Sequence, residues 1–467
     1  MMKHEHFHLL GIGGIGMSAL ARILLQRGAF VSGSDLGDGE QLRSLRLLGA
    51  RTFAGHSKDH ISALPPSAQI VCSSSIKIDH LERTAAVNRG LFICHRADVL
   101  QKLALEKATF GVAGSHGKTS TSALLTWLLA GEDHISFALG GMLKQSKSNG
   151  QWRDKGPFIA EVDESDGKSF AIPLMGGILT NVASDHLSHW KSLEQLCCGF
   201  DAWSQSIKDQ ALFVHSADDQ LCCQIARKRG WSFGFAPSAH YRIANVRRFG
   251  WSTLFDLHLP KNRVLTDLAL PLFGDHQLLN AAAALAFADR LQIDPHRLRE
   301  RLLSFQGVSR RAELKRSYCI GTHRVPHFDD YAHHPNEVRA FLKGVRSAIG
   351  DLPLIAFFQP HRYTRLRDCF DDYIEAFDAV DQLWICPLYS AGESSMGLDS
   401  SCLAKALALR AGENDFRGEG VHRRLQFAKL WRGDSALLRF QLAKGGVLCT
   451  LGAGDIDRLN FSWLEDF

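Results

Sequence analysis

Short apolar runs that stop at glycine or polar residues alternate along this chain with stretches where leucine, isoleucine and alanine recur every three or four positions. The first pattern predicts buried strands and the second amphipathic helices. Phe7-His8-Leu9-Leu10 reads as a strand and Gly11-Ile12-Gly13-Gly14-Ile15-Gly16 as a loop. Met17 to Arg27 then reads as a helix with Leu20, Ile23 and Leu24 on one face, stopping near Gly28. Further strands are predicted at Phe30 to Asp35 and at Gln69 to Cys72, which ends in Ser73-Ser74-Ser75. A second block opens near Ala108, with strand Thr109 to Ala113, loop Gly114 to Gly117 and helix Lys118 to Ala130. Its other strands are Phe158 to Val162 and Gly177 to Asn181, and a helix carries Asn280 with Ala281 to Ala284. The third block opens near Ser309, with strands at His327 to Asp329, Leu354 to Phe358, Leu383 to Cys386 and Val447 to Leu451.

Strands alternating with helices in all three blocks predict an α/β protein whose sheets are mostly parallel, with helices on their faces. The expected domains are residues 1–107, 108–308 and 309–467. Ligands of such sheets sit beyond the carboxyl ends of the strands, so the residues just after each strand are the informative ones. Size and composition agree with several globular cores: 467 residues, 45% hydrophobic and 22% charged. No apolar run approaches the ~18–20 residues of a membrane-spanning helix, and the first residues lack a signal peptide's apolar stretch. The net charge of +5 suits a site for anionic phosphates and is too small for a nucleic-acid footprint. Eleven cysteines without zinc-site spacing read as reduced thiols, hence a cytoplasmic protein.

Gly114-Ser115-His116-Gly117-Lys118-Thr119, between strand and helix, carries the strongest local chemistry. Glycine permits close backbone approach to a triphosphate, and the helix N-terminus offers N–H donors, here including Ser120. Lys118 suits the outer phosphates and the Thr119 hydroxyl suits magnesium. Strict Walker spacing is missing, because Val112 stands where the first glycine would be. The plain alternative is a Gly-Lys-Thr turn opening an ordinary helix. Gly11-x-Gly13-x-x-Gly16 matches the dinucleotide fingerprint, and Asp35 stands where an acidic residue would bind a ribose hydroxyl. Gly13, Gly14, Ile15 and Gly16, with Asp35, Ser73 and Ser74 at the strand ends, are therefore candidates for holding a nucleotide diphosphate. A glycine turn made only for packing is the alternative. Glu161-Val162-Asp163-Glu164-Ser165-Asp166 puts four carboxylates at a strand end, and His186 follows the next strand. With Thr119 they suit magnesium, which shares phosphate oxygens and keeps few protein ligands; a solvated acidic loop is the alternative. Arg362 and Arg365 follow another strand at i, i+3 spacing, able to clamp a phosphoryl or carboxylate group, or simply to lie on the surface.

In chain order these segments, with Thr180-Asn181, Asp185-His186, Asp329 to Pro335, Phe358 to Arg365, Tyr389 to Glu393 and Leu451 to Asp455, resemble the Mur ligase family. The resemblance spans nearly the whole chain and is strongest to the family's alanine-adding branch. It implies a Rossmann-like N-terminal domain for a UDP-sugar, a P-loop-type central domain for ATP and a Rossmann-like C-terminal domain for an amino acid. The implied reaction joins L-alanine to the lactyl carboxylate of UDP-N-acetylmuramate through an acyl phosphate, in peptidoglycan precursor synthesis. ATP and two magnesium ions are implied, with no nucleic-acid partner, no membrane insertion, and a monomer or homodimer. The resemblance places Lys118 on ATP phosphates, Thr119, Glu161 and His186 on metal, Asn280 at adenine with Gln277 beside it, and Arg311 at a domain junction. It places Asp330, His333, Arg362 and Arg365 at the reacting groups, and His333 is the candidate base for the amine. It further implies that cations from separate domains gather, by closure around ATP, where two anions must react.

This chain departs from the family pattern in places. Gln277 replaces an asparagine, Ala332 replaces the commoner glycine, and Ser188 and Trp190 stand at altered positions after His186. Rival readings keep the fold but add a tripeptide to the same UDP-sugar, take the first glycine loop for a nicotinamide dehydrogenase, or make the chain a non-enzymatic nucleotide switch.

Overall fold

The computed structural model describes residues 3–130, 134–412, 425, 427–431, 433, 438, 442 and 445–464, with only the backbone at 187 and 188. The side chain of Ser188 thus lies outside the described ones. The chain separates into two compact units. One comprises Met1–Ala244, Phe255–Leu268 and Leu279–Gln306; the other comprises Asn245–Leu254, Ala269–Leu278 and Gly307–Phe467.

In the first unit, five parallel strands form one sheet, in the order Arg51–Ala54, Phe30–Asp35, His6–Leu10, Gln69–Cys72, Phe92–His95. The strand order reverses at the first strand, His6–Leu10, so the sheet's carboxyl end there opens on a crevice where the glycine loop begins. A ten-stranded sheet follows, and Thr109–Ala113 occupies its corresponding position. That strand lies between Phe158–Glu161 and Gly176–Leu179 and is parallel to both. It is buried along its whole length, as its unbroken apolar run predicts. The carboxyl ends of these three strands deliver the Gly114 loop, the acidic run and Thr180-Asn181 to one place.

Helix Ile15–Gln26 packs on strands Ser136–Leu143 and Ser148–Gln151, so one apolar cluster runs through both parts of the first unit. The amide of Asn149 reinforces the seam by donating to the Ile15 carbonyl (2.7 Å) and the Ser18 hydroxyl (3.0 Å).

The second unit holds a six-stranded sheet ordered Glu313–Ile320, His323–Asp330, Val447–Leu451, Leu354–Phe358, Gln382–Ile385, Phe427–Leu430. The last five strands are parallel. The first two are an antiparallel hairpin turning at Gly321, whose φ of +57° suits glycine. The sequence showed only the end of this hairpin, because its outer strand is largely exposed and carries no apolar run. Helix Pro335–Ile349 starts from a His334–Glu337 capping box and buries Val338, Phe341, Leu342 and Val345 against the sheet. None of the eleven cysteines is in a disulfide. Among the described residues, no helix is long and apolar enough to cross a membrane.

Candidate active site

The central glycine loop is held from outside by the neighbouring strand end. The Asn181 carbonyl accepts from Ser115 N (3.0 Å), and its side-chain oxygen accepts from His116 N (2.9 Å). The Asn181 amide and the Thr180 hydroxyl both donate to the His116 carbonyl. Gly114 has φ +132° and lies so close to Thr180 that a Cβ would overlap its hydroxyl. Gly117, at φ +80°, caps helix Lys118–Leu129, and a Cβ there would meet the Asn280 side-chain oxygen at 2.5 Å. Asn280 also accepts from Thr121 (3.1 Å), so the helix carrying it is fastened beside the loop. Ser120 is buried in the first helical turn, and Gln277 is buried one turn before Asn280.

The charges are as organised as the backbone. Lys118 Nζ donates to the Gly114 carbonyl (2.6 Å), the Ser115 carbonyl (3.1 Å) and Glu164 (2.9 Å). Burial works against its ammonium, but Glu164, Glu161 and Asp163 outweigh that and hold its pKa above the ordinary value. Glu164 is 1% exposed, and burial pushes it up to about 8, with Asp163 adding to the rise and Lys118 opposing it. His186 lies 3.8 Å from Glu164 and 3.7 Å from Asp185, in a left-handed backbone conformation.

Glu161 accepts from the Thr119 hydroxyl (2.9 Å) and from Gly140 N (2.8 Å). A Cβ at Gly140 would fall 2.5 and 2.7 Å from the Glu161 oxygens and 2.8 Å from the Thr119 hydroxyl. Gly140 therefore leaves a small cradle beside a hydroxyl and a carboxylate, hard oxygen donors that fit magnesium. Among the described residues, no group of three or more His, Cys, Asp or Glu side chains is arranged to hold a metal.

The N-terminal glycine loop differs. Gly13 N donates to Asp35 (2.8 Å), which also accepts from Leu36 N (2.8 Å), so the Asp35 carboxylate braces the loop. Gly14 precedes helix Ile15–Gln26, whose first residue, Ile15, is partly exposed. Ser73 pairs with Ser75 (2.6 Å), while Ser74 contacts His95 (3.0 Å) and hydrogen-bonds Asp166 of the acidic run. The sequence did not single out Arg96. It follows strand Phe92–His95, pairs with Asp163, and crosses Gly16 so closely that a Cβ there would overlap the guanidinium.

The second unit gathers the remaining candidates. Asp330, at a strand end, accepts from Ala312 N (2.6 Å) and Ala332 N (2.8 Å). Burial pushes it up to about 6, against the pull of Arg311 and of those two bonds. Arg311 lies 4.0 Å from Glu337 and over the Tyr331 ring. Arg310, also missed from sequence, pairs with Asp329 (3.1 Å) and donates to the Gly452 and Gly454 carbonyls. His333 Nδ1 is 3.0 Å from the Tyr331 carbonyl, which can only accept, so the proton sits on Nδ1 and Nε2 carries the lone pair. Burial, helped by Arg365, pushes His333 down to about 3. Arg365 is 3.4 Å from His361, which stacks on Tyr389. Arg362 caps the short helix Tyr363–Asp368 with φ +67°, its N–H on the Tyr389 carbonyl (2.9 Å).

Three family models match in chain order: the "Mur ligase family, catalytic domain" over residues 6–108, the "Mur ligase middle domain" over 112–288 and the "Mur ligase, glutamate ligase domain" over 310–454. The bifunctional enzyme MurC/Ddl of Chlamydia trachomatis is 37% identical over 416 residues, 87% of this chain and 49% of that protein. The chain thus spans about half the length of that relative. The UDP-N-acetylmuramate–L-alanine ligase of Protochlamydia amoebophila is 37% identical over 391 residues, 83% of this chain and 84% of that one. In fold, the chain resembles the crystal structure of the UDP-N-acetylmuramate-alanine ligase MurC of Thermotoga maritima, with a TM-score of 0.78, 24% identity and 97% of each chain covered. A three-domain α/β chain with these loops at its strand ends, matched along its length by these models and relatives, belongs to the Mur ligase family.

Proposed function

We propose that this chain is an ATP-dependent ligase that joins L-alanine to the lactyl carboxylate of UDP-N-acetylmuramate, in peptidoglycan precursor synthesis. One observation carries the reading: Lys118, Thr119, Glu161 and Asn280 meet around a single glycine loop, in a chain 37% identical to an alanine-adding ligase over most of both lengths. We divide the work among residues 1–107 for the UDP-sugar, 108–308 for ATP and 309–467 for the amino acid.

A carboxylate does not condense with an amine in water without activation. In this reading the carboxylate takes the γ-phosphoryl group of ATP, giving an acyl phosphate and ADP. The neutral amine of alanine then attacks the acyl carbon and expels phosphate. Both partners of the first step are anions, so positive charge must be placed in advance. Lys118 supplies it at the phosphates, with Arg362 and Arg365 at the reacting groups. Thr119, Glu161 and His186 would hold magnesium, which when bound neutralises phosphate charge. Gly114 to Ser120 cradle the phosphates, and Asn280 with Gln277 holds the adenine. Gly13 to Gly16, Asp35, Ser73 and Ser74 hold the UDP-sugar. Asp330 and Arg311 fix the loop carrying His333. His333 is held neutral by burial and then by Arg365, so its Nε2 lone pair is available to take the amine's proton, directly or through water.

Phosphate release from ATP, measured with UDP-N-acetylmuramate and each of the twenty amino acids, tests the reading. L-alanine should give the fastest release. Glycine and serine should trail by only ~1–3 kcal/mol in transition-state binding, since one methyl or hydroxyl group separates them from alanine. Faster release with a tripeptide would move the chain to the recycling branch. No release with any amine would end the reading.

A further inference from the structure

The N-terminal glycine loop spends the N–H groups of Gly11, Ile12, Gly13 and Gly14 on Ser34, Asp35 and Gly11 itself, which leaves the first-turn N–H groups of helix Ile15–Gln26 for a diphosphate, and the loop has no cation between Gly11 and Gly16. Asp35, bound to Gly13 N, adds a negative charge beside it. A diphosphate carries at least two charges, and a helix N-terminus supplies only about half of one. A cation must therefore come from elsewhere in the fold.

Arg96 is in place for this. It is the first residue of helix Arg96–Ala104, and a capping box between His95 and Asp98 sets its backbone. Its guanidinium crosses the first turn of helix Ile15–Gln26 at Gly16, whose missing side chain gives it room. The third glycine of the fingerprint usually allows close helix–strand packing; here it also admits an arginine. The guanidinium is half-buried and paired with Asp163, two residues after Glu161 and next to Glu164. The neighbouring His95 lies 3.3 Å from Asp166. One side chain thus touches the sugar-nucleotide loop and the acidic run that surrounds Lys118.

We propose that Arg96 is the cationic ligand for the diphosphate of the UDP-sugar, and that Asp163 holds it over the Gly16 loop before the diphosphate binds. The proposal rests on the reading of this loop as the UDP-sugar site. A planar guanidinium suits two phosphate oxygens in a way that a lysine ammonium does not. Asp163 keeps the long side chain in one place, which lessens the ordering cost on binding. When the diphosphate takes up Arg96, Asp163 loses its partner and its charge falls to Lys118, so sugar binding is felt at the ATP loop.

Calorimetric titration of the intact enzyme with UDP and with uridine separates the diphosphate from the base. In wild type UDP should bind much more tightly than uridine. Arg96→Ala should cut that ratio at least tenfold, leaving uridine and ATP affinity within about threefold, and Arg96→Lys should restore only part of it. Asp163→Asn should weaken UDP less than Arg96→Ala and change how much UDP alters ATP affinity. An unchanged UDP-to-uridine ratio in a folded, ATP-binding Arg96→Ala protein would overturn the proposal and make the arginine a strut between strand ends. If Arg96→Ala fails to fold, the same ratio measured on Arg96→Lys decides: a full wild-type ratio counts against the guanidinium. Wild type that binds no UDP would instead sink the UDP-sugar reading itself.

Discussion

Two glycine loops in this chain each end a buried parallel strand and each open a helix of 12 residues, Ile15–Gln26 and Lys118–Leu129. Their backbones solve the same problem, yet their charges are arranged in opposite ways. The central loop carries its own cation, Lys118, folded onto the Gly114 and Ser115 carbonyls and flanked by Glu164. The N-terminal loop carries none and is braced by an anion, Asp35. A cation reaches it from a different strand end, as Arg96 over Gly16. A loop with an internal lysine can handle a group that must be transferred. A loop with a borrowed arginine is suited to holding a group that stays put.

Removing the internal cation should break this contrast most severely. Lys118→Ala strips positive charge from the proposed point of phosphoryl transfer, and such preorganised charge is worth ~3–4 kcal/mol in the transition state. Ligation should fall by about 10²–10³, while UDP binding stays near wild type. Steady-state turnover with a parallel UDP titration checks both. A loss below tenfold would remove Lys118 from its proposed role.

The central loop was legible in sequence because all its parts are adjacent: strand, two glycines, lysine and hydroxyl fall within eleven residues of Thr109. The strands Thr109–Ala113 and Leu354–Phe358 were legible because they are buried on both faces and read as unbroken apolar runs. The hairpin strand Glu313–Ile320 was not, because much of it faces solvent. Arg96 was invisible for a different reason. Its partners, Gly16 and Asp163, lie 80 and 67 positions away, and only the folded strand ends bring them together. Glu164 appeared in the acidic run, but nothing in the sequence separated its buried carboxyl from the half-exposed Asp163 beside it.

A smaller effect is expected from adding one methyl group to either loop. At Gly117 an alanine must adopt φ +80° and its Cβ must displace the Asn280 oxygen, itself held by Thr121. The left-handed conformation alone costs ~1–2 kcal/mol. Gly117→Ala should therefore raise the KM for ATP about tenfold or more and leave UDP binding unchanged. At Gly16 the new Cβ meets only the end of a flexible arginine, which can move aside. Gly16→Ala should spare ATP binding and weaken UDP by a few-fold. Reversal of these two patterns would mean that the loops have been assigned to the wrong nucleotides.

The smallest effect expected is on pH dependence. Glu164 is buried beside Asp163, and its pKa rises from the ordinary 4.5 to about 8. A carboxyl raised in the folded state keeps a proton there that the unfolded chain has already released. Its contribution to stability is therefore complete below about pH 4.5 and is lost as pH rises through about 8. Each pH unit up to about 8 removes about 1.4 kcal/mol, so the loss expected between about pH 7 and pH 9 is of order 1–2 kcal/mol, a few degrees in melting temperature. Glu164→Gln keeps the shape of the protonated acid and cannot titrate. Its melting temperature should match wild type near pH 4 and exceed it by a margin that widens up to about pH 8, so the difference between the two curves isolates this one group. Asp35 supplies the control: Asp35→Asn alters the other loop and should leave the wild-type slope in place. If Glu164→Gln has the same slope as wild type, the carboxylate is already ionised against Lys118. The central loop would then hold a fixed ion pair instead of a proton poised for release.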